Sequence, residues 1–85
     1  MQPVTIYTTA LCPYCHSAKA LLSRKGAHIE EIDVSWDRAA REAMSVRTGG
    51  RISVPQIWIG ERHVGGCDDL YALERAGQLD AMLNG

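Results

Sequence analysis

The sequence predicts an α/β domain in which one four-stranded mixed sheet is flanked by helices, and three observations predict it. Short β-branched and aromatic runs alternate with stretches of helical periodicity. Glycines 26, 49 and 77 stand where each of those helical stretches should stop. A Gly60-Glu61 turn splits the last two strand-like runs into a hairpin. With 85 residues, a single domain over 1–85 is expected.

Val4 to Thr8 is mostly apolar and rich in β-branched and aromatic side chains, which suits a buried strand. Thr9 to Leu11 turns the chain into a helix that starts near Cys12 or Pro13, where proline fits because the first-turn N–H has no helical partner. Ala18, Leu21 and Leu22 share one face of this helix, Lys19, Ser23 and Arg24 the other, and Gly26 ends it. His28 to Val34 alternates imperfectly and reads as a second strand, parallel to the first through a right-handed crossover. Ser35 or Asp37 is placed to cap a second helix from Arg38 to about Arg47, with Ala40, Ala43, Met44 and Arg47 on its packing face. Ser53 to Gly60 reads as the third strand, with Pro55 at its first residues or at an edge because proline cannot donate to a ladder. Arg62 to Val64 is the fourth. After Gly65-Gly66, Asp68 or Asp69 caps a third helix that turns Leu70, Tyr71 and Leu73 inward, and Leu79, Met82 and Leu83 form a final helical turn. The order β-α-β-α-β-β-α is that of the thioredoxin-like fold.

Composition narrows the function. Hydrophobic residues make up 46% and charged residues 22%, as in an ordinary globular protein, and the formal net charge is −1. There is no Lys/Arg block, so nucleic acid is not an expected partner. No apolar run approaches the roughly 18 residues a membrane helix needs. The first residues lack the pattern of a secretion signal, so a cytoplasmic location is expected. Three cysteines, Cys12, Cys15 and Cys67, are an odd count that argues against a disulfide-stapled scaffold.

Cys12-Pro13-Tyr14-Cys15 carries the chemistry. The free N–H groups and dipole of a helix start stabilise an anion, and such placement lowers a thiol pKa from about 8.5 to roughly 3.5–7.5. Cys12 occupies that position and is the expected nucleophile. Cys15, one turn further, is the expected resolving thiol. Half of a zinc site is the competing reading. It needs four ligands, and Cys67, His16, His28 and His63 supply no second matching pair, so no metal site is expected. His16, His28 and His63 are read as solvated positions, Trp36 and Trp58 as packing residues, Met44 and Met82 as core fillers, and Cys67 as a small buried hydrophobe.

Three motifs together, Cys12-Pro13-Tyr14-Cys15, Ser53-Val54-Pro55-Gln56-Ile57 and Gly65-Gly66-Cys67-Asp68-Asp69, resemble the glutaredoxin family, in its small bacterial dithiol type. The resemblance covers nearly the whole chain. It implies a glutathione-dependent thiol–disulfide oxidoreductase that acts on protein disulfides and glutathione mixed disulfides. Glutathione is then a co-substrate and no cofactor is tightly bound. A monomer acting on glutathionylated or disulfide-containing proteins is expected. The implied glutathione-binding residues are Tyr14, Arg51, Val54, Pro55, Cys67, Asp68 and Asp69. Pro55 would be cis, so that Val54 presents its backbone to the tripeptide like an added strand, whereas an X–Pro bond taken alone is read as trans. The N–H groups of Cys67 to Asp69 would hold the γ-glutamyl carboxylate, and an Asp its ammonium. The family often has a lysine three residues before the first cysteine. Thr9 stands there instead, leaving Arg51, then Arg47, as the cation for the glycine carboxylate. Two other readings are a [2Fe–2S] carrier dimer, opposed by Pro13, and a redoxin reduced by thioredoxin reductase, opposed by Cys67-Asp68-Asp69.

Overall fold

In the computed structural model, which describes residues 1–85, the sheet is assembled around two central strands. These are β1 (Val4–Thr8) and β3 (Gln56–Ile59), and the edges are β2 (Ile29–Asp33) and β4 (Arg62–Gly65), in the order β2-β1-β3-β4. β1 runs parallel to β2, with Val4 opposite Ile29, and antiparallel to β3, with Ile6 opposite Ile57. β3 and β4 form the antiparallel hairpin. Position in the sheet explains the sequence patterns. All of β3 is buried, so its run is continuously apolar after Gln56. β2 is an edge and keeps Glu30, Glu31 and Asp33 exposed, which breaks its alternation and blunts the edge against further pairing.

Strand alternation sends side chains to two layers. On one face Val4, Ile6, Ile57 and Ile59 pack against α1 (Pro13–Arg24), α3 (Cys67–Arg75) and α4 (Leu79–Asn84) through Ala18, Leu21, Leu22, Leu70, Leu79 and Leu83. On the other, Tyr7, Val34 and Trp58 pack against Met44 of α2 (Arg38–Thr48). The first strand bends into α1 at the end of the sheet where β1 and β2 finish, so the thiols lie at that end.

Several local expectations are adjusted. Of the two caps offered for α2, Asp37 is used, accepting from the Ala40 N–H at 2.9 Å. Within α2, Ala43 is exposed and Arg47 contributes by laying its guanidinium 4.1 Å from the Trp58 ring centre. Trp36 is not a packing residue. It is 96% exposed, because the short connection from β2 to α2 has no layer above it. The third strand starts at Gln56 rather than Ser53, since Val54-Pro55 is a cis peptide lying outside the ladder. α3 is capped by Gly66 rather than by an aspartate. Asp69 sits in the first turn and reaches back, its Oδ2 accepting from the Gly66 N–H at 2.9 Å.

Gly65 makes that cap possible. Its φ is +113°, a region side chains avoid, and a Cβ there would overlap the Asp69 carboxylate. Gly65→Ala is expected to lower stability by about 1–3 kcal/mol, the usual cost of such backbone strain. Urea unfolding of the two proteins checks this, and a midpoint shift too small to measure would contradict it.

Candidate functional site

Cys12 is the residue immediately before α1, in extended conformation, and Pro13 takes the first helical position. The bend turns the Cys12 sulfur over the open end of the helix, where it accepts the Cys15 N–H at 3.1 Å. Sulfur therefore fills the role that a serine or aspartate oxygen fills in most helices. The sulfur thus faces the free N–H groups of the first turn of α1. The same sulfur lies 3.9 Å from the Val54 carbonyl oxygen, to which the thiol form donates.

The two thiols differ sharply. Cys12 retains 7% exposure and Cys15 only 1%. Burial pushes the Cys15 thiol up to about 12, reinforced by its hydrogen bond to Cys12 and the charge there, and opposed by the Thr9 backbone and Lys19. Cys15 therefore stays protonated, while the Cys12 sulfur is the one at the open end of the helix. All three cysteines are free. Cys67 belongs to the α1/α3/α4 core, and burial, then the charges of Asp68 and Cys12, push its thiol up as well.

Beside Cys12 runs a groove of about 370 Å³ lined by Tyr14, Arg51, Ser53, Val54, Pro55, Gly66, Cys67, Asp68 and Asp69. It gathers all seven residues named from sequence as glutathione contacts, brought from α1, the α2–β3 loop and the start of α3. Ser53 and Gly66 belong to the two motifs read from sequence but were not named as contacts. Arg51 is held where α2 ends: its N–H donates to Thr48 Oγ1 at 2.8 Å, and Thr48 Oγ1 donates to the Arg51 carbonyl at 3.0 Å. Its guanidinium is half-exposed and only 3.9 Å from Asp69, a loose solvent-screened pair. Arg47, the second cation named from sequence, does not line the groove. It donates to the Tyr7 hydroxyl at 3.1 Å beside Trp58. A larger depression at the opposite end of the sheet, around Pro3, Gly60 and Met82, contains no thiol.

His16 and His28 are exposed, as expected. His63 is exposed as well, and in addition its Nε2 is 2.8 Å from Gln56 Oε1 and its ring stacks on Trp58 at 4.6 Å. No group of three His, Cys, Asp or Glu side chains converges on a common point. No helix is long and apolar enough to cross a membrane.

A four-stranded mixed sheet with a Cys-x-x-Cys at the start of its first helix defines a thioredoxin-fold dithiol oxidoreductase. The comparisons narrow the class. The glutaredoxin family model matches residues 4–64. The chain is 60% identical over 84 residues to a glutaredoxin of Pseudomonas aeruginosa, covering 99% of each protein. It is 53% identical over 83 residues to glutaredoxin 3 of Escherichia coli, covering 98% of this chain and 99% of that one. Among solved structures, a buckwheat glutaredoxin–glutathione complex superposes with a TM-score of 0.88 at 31% identity, over 98% of this chain and 77% of that one. This chain belongs to the glutaredoxin family and is a thiol–disulfide oxidoreductase that depends on glutathione.

Proposed function

We propose that residues 1–85 act as one domain and one monomer, with Cys12 as nucleophile, Cys15 as resolving thiol, and the adjacent groove as the glutathione site. The observation that carries this reading is the continuity of sulfur and groove: the Val54 carbonyl is 3.9 Å from Cys12 Sγ, and Val54 itself lines the groove. An extended tripeptide on the Val54 backbone has its cysteine sulfur delivered to Cys12. The groove offers the matching charges. The start of α3 presents N–H groups to one carboxylate of glutathione, Asp68 or Asp69 faces its ammonium, and Arg51 takes the other carboxylate. The buckwheat relative is a complex with glutathione, which supports the same ligand here.

The reaction follows from the inequality of the thiols. The Cys12 thiolate attacks the glutathione sulfur of a mixed disulfide, and the substrate leaves as a thiolate that takes up a proton. A second glutathione thiolate attacks the glutathione sulfur now bound to Cys12, releasing oxidised glutathione and regenerating the Cys12 thiolate. Electrons come from glutathione thiols, so no resident cofactor is needed, and the substrates are glutathionylated or disulfide-bearing proteins. A reducing compartment such as the cytoplasm suits this chemistry.

Turnover of a small glutathione mixed disulfide, coupled to glutathione reductase, tests the reading in the native protein and in Arg51→Ala. The native protein is expected to be active. Arg51→Ala is expected to raise KM about tenfold with kcat within about twofold, the cost of removing one charge-assisted contact. An inactive native protein would overturn the assignment, and an unchanged KM would remove Arg51 from it.

A further inference from the structure

The Ser53-Val54-Pro55 segment stands outside the sheet, so something other than a strand ladder must hold Val54 in place. Gln56 does so from below. Its side chain is fully buried, and its Nε2 donates both to the Ser53 carbonyl at 3.1 Å and to Ser53 Oγ at 3.2 Å. With its amide nitrogen committed to Ser53, its Oε1 must be the atom facing His63, 2.8 Å away. An amide oxygen only accepts, so the His63 Nε2 carries the proton and donates. Partial burial of the His63 ring, then the charge of Arg51, disfavour a protonated ring, with Asp69 opposing and Arg47 adding a smaller push in the same direction. The ring is therefore neutral, its single N–H directed at Gln56.

His63 is itself braced. Its ring stacks on the buried Trp58 ring at 4.6 Å with 26° between planes. Trp58 is the cross-strand partner of His63, and Gln56 is two residues back on the same face of β3, so His63 reaches it along the diagonal. The ladder slips between Ile57 and Trp58 at this point.

We propose that His63 is a positioning residue for the glutathione reaction. It fixes the orientation of the Gln56 amide, which in turn clamps Ser53 and sets the Val54 backbone against Cys12. His63 does not line the groove and does not touch the reacting sulfurs. The proposal rests on the reading of the groove as the glutathione site.

His63→Phe keeps a ring to stack on Trp58 but has no donor. His63→Gln places an amide nitrogen near the position of Nε2 and restores one. In the coupled assay, His63→Phe is expected to raise KM for the glutathione mixed disulfide about fivefold, the worth of one net hydrogen bond, with kcat within about twofold. His63→Gln is expected to return KM to within about twofold of the native value. The alkylation rate of Cys12 by iodoacetamide is expected to be the same in all three proteins, since the helix start is untouched. An unchanged KM in His63→Phe overturns the proposal, as does an equal rise in both variants. Arg51→Ala separates the two levels of the argument. If it raises KM while His63→Phe does not, only the role of His63 fails. If neither raises KM, the groove assignment fails and the proposal with it.

Discussion

Replacing Cys12 by serine is expected to abolish both the reduction of glutathione mixed disulfides and the reduction of protein disulfides, by at least about 10³-fold, while leaving the fold intact. The two halves of this expectation come from the same atom. The Cys12 sulfur is the nucleophile, and a serine hydroxyl is far too weakly acidic to replace a thiolate. The same sulfur also caps α1 by accepting the Cys15 N–H, and serine is among the better residues for that task. The substitution thus removes the reaction without removing the cap. Turnover measured together with thermal unfolding decides the point. Residual activity above about 1% would mean that another thiol attacks. Cys67, which lines the same groove, would be the one to examine. A lost thermal transition would mean that the sulfur matters to the fold in a way serine cannot replace.

Much of this site was legible because the features that position it are local. Pro13 after Cys12 marks a helix start, and a helix start makes the first cysteine exposed to charge and the fourth residue buried. The apolar run of β1 announced a strand buried on both faces because such burial leaves no place for alternation, whereas Pro55 left an edge position open for β3, which is central. What escaped depends on contacts between distant segments. His63 is exposed as its sequence suggests, but its pairing with Gln56 joins opposite strands across a slipped ladder, and nothing in the Arg62-His63-Val64 run discloses that partner. Asp69 looks like a cap from sequence, yet the cap residue is Gly66, and only the positive φ of Gly65 brings the carboxylate back to it. Trp36 reads as a packing residue by its chemistry and is exposed because no element covers its loop. The cis bond before Pro55 is not encoded in local propensity, which favours trans, and it was expected only from resemblance.

Replacing Cys15 by serine is expected to separate the two activities. Reduction of glutathione mixed disulfides should stay within about threefold of the native rate, because attack and release both occur at the Cys12 sulfur and the incoming glutathione resolves the intermediate. Reduction of a protein disulfide through the dithiol route should be lost, and the protein should accumulate as a mixed disulfide with its substrate, visible on a non-reducing gel. The state of Cys15 explains why the native protein avoids this trap without the two thiols competing beforehand. In the reduced protein burial first, then the hydrogen bond to Cys12 and the charge on that sulfur, together push the Cys15 thiol up to about 12. The charge exists only while Cys12 is a thiolate, and the hydrogen bond is strongest to that form. Once its sulfur is joined to a substrate, the charge is gone and the hydrogen bond weakens, whereas the opposing influence of the Thr9 backbone and Lys19 remains. Cys15 then gives up its proton more easily. Its thiolate attacks the Cys12 sulfur, the Cys12–Cys15 disulfide forms, and the substrate thiolate leaves and takes a proton. Alkylation provides the control for this order of events. From pH 5 to about 10 the reduced native protein and Cys15→Ser should lose the same single reactive thiol, since a thiol held near 12 contributes almost no thiolate there. A second fast-reacting thiol in the native protein, absent from Cys15→Ser, would show that Cys15 is already ionised and that the sequence of steps is wrong.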